Sequence, residues 1–220
     1  MRKAVLWGAA VLFYLLALGC LLLAVRQGLS AAPAAGRLFA LCGACLAGYL
    51  GSLCLAKGPL RRAAASVMRG TFFCFFLLYL AFLLQLTLFD AYFGRNGAAA
   101  VPAYNFMPLA TISDYLGALF AGPAGRRAAV TNLLGNLAAF APLAFFLPLL
   151  FARLRSFPRF LLAAAAIVAL VELAQLGLRV GVCDVDDLLL NVGGACLLFA
   201  LLRLPLIRTC VRRVTLLPHA

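Results

Sequence analysis

The composition of this 220-residue chain excludes a soluble globular protein. Hydrophobic residues make up 66% of the sequence and charged residues 11%, against about 45–50% and about 25% in soluble domains. A short chain cannot bury so much apolar surface, because a large fraction of it stays exposed. The net charge of +13 does not indicate nucleic acid binding, since no basic stretch carries interleaved aromatics or a groove-reading helix pattern. We therefore expect an integral membrane protein.

Six apolar stretches are long enough to cross a bilayer. Four charge-free intervals of 19 to 25 residues precede residue 153, and a helix needs about 20 residues to span a hydrocarbon core of about 30 Å. A fifth interval, 160–178, contains Glu172. The sixth, 188–202, is extended by 204–207 in our interpretation, with Arg203 snorkelling to the interface. The predicted fold is an all-α polytopic bundle of about six transmembrane helices.

The distribution of charge predicts that both termini are cytoplasmic. With the N-terminus inside, 13 of the 19 Lys and Arg residues fall on the cytoplasmic side and 6, including Arg95, fall on the other, as the positive-inside rule predicts. Glu172 is then the only acidic residue within a span. The other five acidic residues face outward: Asp90, Asp114, Asp184, Asp186 and Asp187.

The eight cysteines indicate neither a disulfide scaffold nor a metal site. Six of them fall within predicted spans, and the CxxC pair of Cys42 and Cys45 has no second ligand pair. We interpret the six as small apolar residues. Small residues around this pair recur every four positions, which predicts a helix-packing face: Gly43, Ala44, Ala47, Gly48, Gly51 and Ser52.

Two polar segments precede and open the fourth span. The first, 104–114, is too short to cross the membrane, and we expect Thr111 or Ser113 to cap a short helix that ends at Gly122-Pro123. The alternative is an ordinary interfacial loop. In the second, Asn132 and Asn136 share a helix face, and Pro142 interrupts the helix and frees a carbonyl that another group must satisfy. The alternative here is helix–helix hydrogen bonding without further function.

Two more polar segments close the fifth span and open the sixth. Glu172, Gln175 and Arg179 form one helical stripe at positions i, i+3 and i+7, and a carboxylate inside a span is costly unless it is paired or faces water. Asp184, Asp187 and Asn191 line one face of the following helix. Helix capping explains one or two of the acidic residues. Three acidic residues within four positions, with an Asn one turn later, indicate more than capping.

The threading brings these four segments to one end of the bundle. The start of span four, the end of span five and the start of span six lie on the outer side, together with the 104–114 loop. We therefore predict a polar pocket that opens outward, with Arg126, Arg127 and Arg179 as candidate anion contacts. The predicted ligand-binding residues are Asn105, Thr111, Arg126, Asn132, Asn136, Glu172, Gln175, Arg179, Asp184, Asp187 and Asn191.

The same four segments resemble the VanZ-like family of bacterial multi-pass membrane proteins. The family pattern has N-x-x-P, N-x-x-x-N-x-x-x-F-x-P, E-x-x-Q with a following Arg, and D-x-D-D-x-x-x-N-x-x-G. The first pattern corresponds to Asn105 and Pro108, and the second to Asn132, Asn136, Phe140 and Pro142. The third corresponds to Glu172, Gln175 and Arg179, and the fourth to Asp184, Asp186, Asp187, Asn191 and Gly194.

The resemblance implies a role at the bacterial cell envelope, in the cytoplasmic membrane. It covers about 71–205, so we expect 1–70 to form an additional two-helix hairpin and 206–220 a basic cytoplasmic tail. The family is named for an accessory factor of teicoplanin-type glycopeptide resistance. The resemblance therefore implies a contribution to such resistance. It does not imply a particular chemical reaction.

Three functions stay open. The favoured one is a binding protein whose pocket holds a lipid head group, a lipid-linked wall intermediate or a lipoglycopeptide. A membrane-embedded enzyme would use Glu172 as general acid. Two observations oppose this function: the sequence has no nucleophile motif, and its one histidine, His219, lies near the C-terminus. A transporter is opposed by the lack of evident inverted repeats. No cofactor is evident, although Asp184, Asp186 and Asp187 are candidate ligands for Mg²⁺ or Ca²⁺. The oligomeric state stays open.

Overall fold

The computed structural model describes residues 2–29, 34–89 and 103–217, and Asp90, Arg95 and His219 lie outside these ranges. Six helical segments in the described part are long and apolar enough to cross a bilayer, which confirms the predicted all-α membrane fold. The elements in chain order are α1 Arg2–Leu29, α2 Ala34–Lys57, α3 Ala64–Leu88, β1 Ala103–Asn105, α4 Ala110–Ala118, α5 Pro123–Ala139, α6 Leu143–Leu150, α7 Phe157–Leu178, β2 Val182–Asp184, α8 Val185–Leu202 and α9 Pro205–Thr215.

The chain divides into two compact units. One contains the residues up to Leu78 together with those from Cys210 onward, and the other is Tyr79–Thr209. In the second unit, α5 and α6 together form one candidate span, and α8 packs against α5, α6 and α7. The helix α4 packs against α5 and α8. All four polar segments identified in the sequence therefore belong to the second unit.

In the first unit, α1 and α2 pack as a hairpin through the predicted small-residue face. A Cβ atom on Gly51 would lie 3.3 Å from the backbone oxygen of Ala10, so the two backbones approach closely only because a glycine stands there. The buried hydroxyl of Ser52 lies 2.7 Å from that of Tyr14 and accepts a hydrogen bond from Thr71 at 2.6 Å. These contacts confirm a helix-packing face. All eight cysteines are free thiols.

Pro142 interrupts the fourth span, as predicted. Here α5 ends at Ala139, and the amide of Leu143 donates to the carbonyl of Phe140 at 3.0 Å instead of bonding four residues back. The carbonyl of Ala139 thereby loses its helical donor. The hydroxyl of Tyr79 donates to it at 2.8 Å, so a side chain of α3 satisfies the freed backbone group.

Replacing Tyr79 by phenylalanine is expected to lower the free energy of unfolding by about 1–2 kcal/mol, because the Ala139 carbonyl loses its donor in a partly buried place. The aromatic packing stays, since the Tyr79 ring stacks on Phe146 at 5.8 Å. Thermal unfolding of the purified protein in detergent measures the change. Tyr49→Phe is the matched control, because that hydroxyl donates to the Val214 carbonyl at an exposed position. An equal loss in both variants would contradict the assignment.

The sixth span differs from the prediction at its end. The helix α8 ends at Leu202, and α9 begins at Pro205 as a separate amphipathic helix. The predicted extension of the span through 204–207 is therefore wrong. Proline lacks an amide N–H and disfavours helical backbone in the residue before it, which separates the two helices. The 18 residues of α8 span about 27 Å at 1.5 Å per residue, close to the hydrocarbon thickness.

Candidate functional site

A short parallel strand pair joins the first polar segment to the last. Strands β1 and β2 pair in the register that places Asn105 opposite Asp184. The side-chain amide of Asn105 donates to the hydroxyl of Thr111 at 2.9 Å and reaches Asp184 Oδ2 at 3.4 Å. The Thr111 hydroxyl in turn donates to the same carboxylate oxygen at 2.5 Å. Three of the predicted site residues therefore form one closed hydrogen-bonded cluster.

Asp186 anchors the start of α4 from a different element. Its side chain is fully buried, and its two carboxylate oxygens accept hydrogen bonds from the amides of Leu109 at 2.6 Å and Ile112 at 3.1 Å. The prediction that Thr111 or Ser113 caps this helix is wrong. The N-cap residue is Leu109, whose side chain makes no capping hydrogen bond, and the Thr111 hydroxyl donates to Asp184 instead. The start of α4 is therefore capped by Asp186, a residue of α8.

Capping by acidic residues at the start of α8 is confirmed for Asp184. It is the N-cap residue, and its Oδ1 accepts a hydrogen bond from the amide of Asp186 at 2.8 Å. Its own amide donates to Glu172 Oε2 at 3.4 Å. This bond links the end of α7 to the start of α8 through the buried acidic residue of the fifth span.

The predicted stripe on α7 is only partly formed. Glu172 and Gln175 are 6% and 4% exposed, and both point into the packed bundle. Arg179 lies beyond the helix in the left-handed conformation, with φ of 57°, and is exposed. The amide of Val180 bonds to the carbonyl of Gln175 at 3.1 Å, which is the six-to-one bond of a Schellman ending. The i, i+7 spacing fails for Arg179 because the helix stops before it.

A polar cavity lies between α3, α5, α7 and α8 of the second unit. Its volume is about 160 Å³. Six of the eleven predicted ligand-binding residues line it, and the remaining lining is mostly apolar. The predicted residues are Asn132, Asn136, Glu172, Gln175, Asp187 and Asn191, and the others are Leu86, Thr87, Thr131, Gly135, Ala139, Phe140 and Val171.

Three of the four side-chain amide nitrogens in the lining donate to protein oxygens. Asn132 donates to the Ala128 carbonyl at 2.9 Å, and Gln175 donates to the Thr87 carbonyl at 3.0 Å. Asn136 donates to the carboxylate of Asp187, which joins α5 to α8 across the cavity. In contrast, Asn191 is 2% exposed, and its amide oxygen accepts no hydrogen bond from any described residue.

The predicted arginine contacts do not line the cavity. Arg126 and Arg127 are exposed on α5, and the Nε of Arg126 donates to the Leu119 carbonyl at 3.1 Å. Arg179 occupies the exposed end of α7.

The three candidate metal ligands, Asp184, Asp186 and Asp187, bond to different partners. No group of three Asp, Glu, His or Cys side chains within 2–29, 34–89 and 103–217 is arranged to hold a metal ion.

Sequence reasoning missed several residues of this region. Thr87 and Thr131 line the cavity, and their hydroxyls carry no motif that marks them. Burial, followed by the carboxylates of Asp187 and Asp184, raises the pKa of Tyr115 on α4 above its ordinary value, so its phenol stays protonated. The proximity of Tyr115 to these carboxylates has no signal in a single sequence, since more than 60 residues separate them.

Cys183 is the cysteine nearest to the acidic groups. It is buried on β2, and burial, with the charges of Glu172 and Asp184, raises the pKa of its thiol. A thiol with a raised pKa carries little thiolate at neutral pH, and the thiolate is the nucleophilic form. Burial and the neighbouring carboxylates therefore disfavour the thiolate of Cys183.

Comparison with known proteins assigns this arrangement to a family. No curated protein and no solved structure matches the chain. The family model described as VanZ/LLP1 matches residues 76–208, which is more than half of the chain and contains all four polar segments together with the cavity lining. The chain therefore belongs to the VanZ/LLP1 family.

Proposed function

We propose that the cavity binds the polar head of a lipid-anchored molecule of the cell envelope: a lipid head group, a lipid-linked wall intermediate or a lipoglycopeptide. The observation that carries the proposal is the set of eight polar side chains that line one cavity between apolar, membrane-length helices. Polar groups inside a membrane bundle are costly and are characteristic of ligand sites. A cavity with a few convergent polar groups among apolar ones is the usual form of a small-molecule site.

The surroundings of the cavity suit an amphiphile. Leu86, Phe140 and Val171 contribute apolar side chains to its lining. The β1–α4 segment, which is hydrogen-bonded to α8, exposes Phe106 with 64% of its surface accessible, and Phe120, two residues after α4, is 87% accessible. Exposed aromatic side chains beside a polar site favour contact with acyl chains or with the membrane interface.

We further propose that the cavity opens to the exterior. The support is the predicted threading, which assigns 13 of the 19 Lys and Arg residues to the side of the termini and 6 to the opposite side. An exterior opening gives access to head groups of the outer leaflet and to extracellular glycopeptides. It is consistent with a role at the bacterial cell envelope.

Native mass spectrometry of detergent-extracted protein tests the proposal. The wild type is expected to retain copurified lipid, and Asn136→Ala or Glu172→Ala to lose most of it, because both residues line the cavity. Gln85→Ala is the matched control, since Gln85 is a polar residue of α3 that does not line the cavity. In cells, expression of the wild type is expected to raise the inhibitory concentration of teicoplanin more than either cavity variant does. Cavity variants that keep full lipid binding and the full antibiotic phenotype would overturn the proposal.

A membrane-embedded enzyme is the second candidate. The observation in its favour is Glu172, a carboxyl that is 6% exposed and still lines the cavity, where it could exchange a proton with a bound head group. Turnover of polyprenyl-phosphate or glycolipid substrates by the purified protein, abolished in Glu172→Gln, would support it. Unchanged substrates across a broad panel, with lipid binding intact, would favour binding alone.

A further inference from the structure

Five arginines lie at the end of the second unit that is opposite the cavity. Three belong to the short 3-10 helix Ala152–Arg155 and to the first turn of α7, and two follow α8: Arg153, Arg155, Arg159, Arg203 and Arg208. The guanidinium of Arg203 donates to the backbone carbonyl of Arg155, which joins the two groups into one arginine cluster. Glu172 of the cavity lies about 20 Å further along α7 than Arg159, at 1.5 Å per residue.

Two of these arginines are oriented by groups that do not neutralise them. The Nε of Arg155 donates to the Pro148 carbonyl at 3.2 Å, and the guanidinium carbon of Arg203 lies 4.5 Å from the centroid of the Phe199 ring. A carbonyl and an aromatic face hold a guanidinium in place but leave it with its full positive charge. Because a guanidinium has five N–H donors, one bond to a carbonyl leaves donors for a further acceptor.

The elements that carry the cluster contain no acidic residue near it. The ranges 115–171 and 188–220 have no Asp or Glu, so neither α6, the 3-10 helix, the first half of α7, the second half of α8 nor α9 supplies a carboxylate. The acidic residues of α8 stand at its opposite end, where Asp186 and Asp187 occupy the first turn. The five arginines therefore present a positive charge that these elements do not neutralise.

The cluster lies at the depth of lipid phosphates and has apolar neighbours. Arg203 directly follows the 18 residues of α8, whose length of about 27 Å is close to the hydrocarbon thickness. Phe151 and Phe157 stand exposed on either side of the 3-10 helix, and Leu204 is exposed beside Arg203. Arginines at this depth reach lipid phosphates while their apolar neighbours contact acyl chains. A soluble polyanion would leave these apolar side chains uncovered.

We propose that the arginine cluster binds the phosphate groups of anionic phospholipids. Arginine binds phosphate oxygens through two parallel N–H···O bonds. Arg155 and Arg203 are already held in place by Pro148 and Phe199, so less conformational entropy is lost on binding. The uncompensated positive charge favours an anionic lipid over a zwitterionic one. This site is separate from the cavity and does not depend on the ligand proposed for it.

The test compares anionic phosphatidylglycerol with zwitterionic phosphatidylcholine of identical acyl chains. Equimolar mixtures are added to delipidated full-length protein, and the retained lipids are counted by native mass spectrometry. We expect the wild type to prefer phosphatidylglycerol at least about tenfold, and Arg153→Gln/Arg159→Gln to lose most of this preference, because each arginine near an anionic lipid changes the affinity about fivefold. Both side chains are exposed, so their replacement should leave the fold intact.

The matched control is Arg126→Gln/Arg127→Gln. It removes the same charge from two exposed arginines of the same unit, near the start of α5, and is expected to keep the preference. At the cluster itself, Arg203→Lys keeps the charge but loses the planar fork, and should lower the preference less than Arg203→Gln does. An equal loss of preference in the two double variants would assign it to net charge and overturn the inference.

Other outcomes separate this site from the cavity. Asn136→Ala is expected to keep the preference for phosphatidylglycerol, because Asn136 belongs to the cavity lining. A preference that is lost in Asn136→Ala and kept in Arg153→Gln/Arg159→Gln would place the anionic lipid in the cavity and overturn the inference. Equal retention of both lipids by the wild type would overturn it and leave the proposed function in place. Binding of a labelled single-stranded oligonucleotide that Arg153→Gln/Arg159→Gln abolishes would assign the cluster to a soluble polyanion instead.

Discussion

Replacing Gly194 by alanine is expected to destabilise the second unit by about 3 kcal/mol or more, at the upper end of overpacking effects. A Cβ atom at this position would lie 2.7 Å from the carbonyl carbon and 2.8 Å from the Cα of Leu137, and closer still to the carbonyl oxygen. These are backbone atoms of α5, so no side-chain rotation relieves the clash. The two helices must separate, and helices in membranes depend on such close approaches.

The neighbouring glycine provides the control. A Cβ atom on Gly193 would meet nothing within 4 Å, and alanine is a better helix former than glycine by up to about 1 kcal/mol. Gly193→Ala is therefore expected to be neutral or stabilising. Thermal unfolding in detergent, followed by size-exclusion chromatography, compares the two variants. Equal midpoints for Gly193→Ala and Gly194→Ala would contradict the packing of α5 on α8.

The same substitution is expected to impair the cavity. Asn136 on α5 donates to Asp187 on α8, and Asn191 lies one helical turn before Gly194 on α8. Separation of the two helices breaks the first bond and widens the cavity. Lipid retention by Gly194→Ala should therefore fall together with stability, whereas Asn136→Ala should lose retention with a smaller loss of stability.

Replacing Asp186 by alanine is expected to release the β1–α4 segment from α8. The substitution leaves the amides of Leu109 and Ile112 without their acceptor, and each hydrogen bond to a charged group contributes about 1.5–3 kcal/mol. The expected loss of local stability is therefore about 3 kcal/mol or more. Hydrogen–deuterium exchange measures it directly, and peptides that cover 104–118 should exchange at least about a hundredfold faster than in the wild type.

Asp114 is the matched control for this experiment. It is an exposed acidic residue on the same helix α4, and Asp114→Ala should leave exchange of the segment unchanged. Asp186→Asn keeps one acceptor oxygen and should give an intermediate rate. If peptides over 104–118 exchange at the wild-type rate in Asp186→Ala, the prediction is contradicted. The strand pair and its Asn105–Asp184 contacts would then hold the segment without the Asp186 bonds.

The cavity is the part of the site that sequence reasoning reached most directly. Asn132 and Asn136 share a face because a helix repeats every 3.6 residues, and the alternation of spans brings the start of one to the end of the next. The structure places both in one cavity with Glu172, Asp187 and Asn191. The helical period and the alternation of spans are enough to predict these cavity residues, because each span is long, apolar and regular.

Other parts of the site were outside the reach of these patterns. The strands β1 and β2 are three residues each, too short to show any alternation of polar and apolar residues. Arg179 takes a left-handed conformation that glycine usually occupies, so the sequence carried no signal that α7 ends before it. Asp186 bonds to amides 74 and 77 residues away, and no local pattern assigns such a partner.

The sequence by itself determined that the chain is a six-span membrane protein with its polar residues gathered at the ends of three consecutive spans. Hydrophobicity and helical periodicity are properties of short stretches, so they can be read without knowledge of the fold. The tertiary structure alone decided which polar residue does what: Asp186 anchors α4, Asp184 closes the strand cluster, Asp187 joins α5 to α8, and Asn191 is buried in the lining of the cavity. These four polar residues lie within eight positions at the start of one helix, and no pattern in the sequence assigns a partner to any of them. They become different only through the partners that distant parts of the chain bring to them.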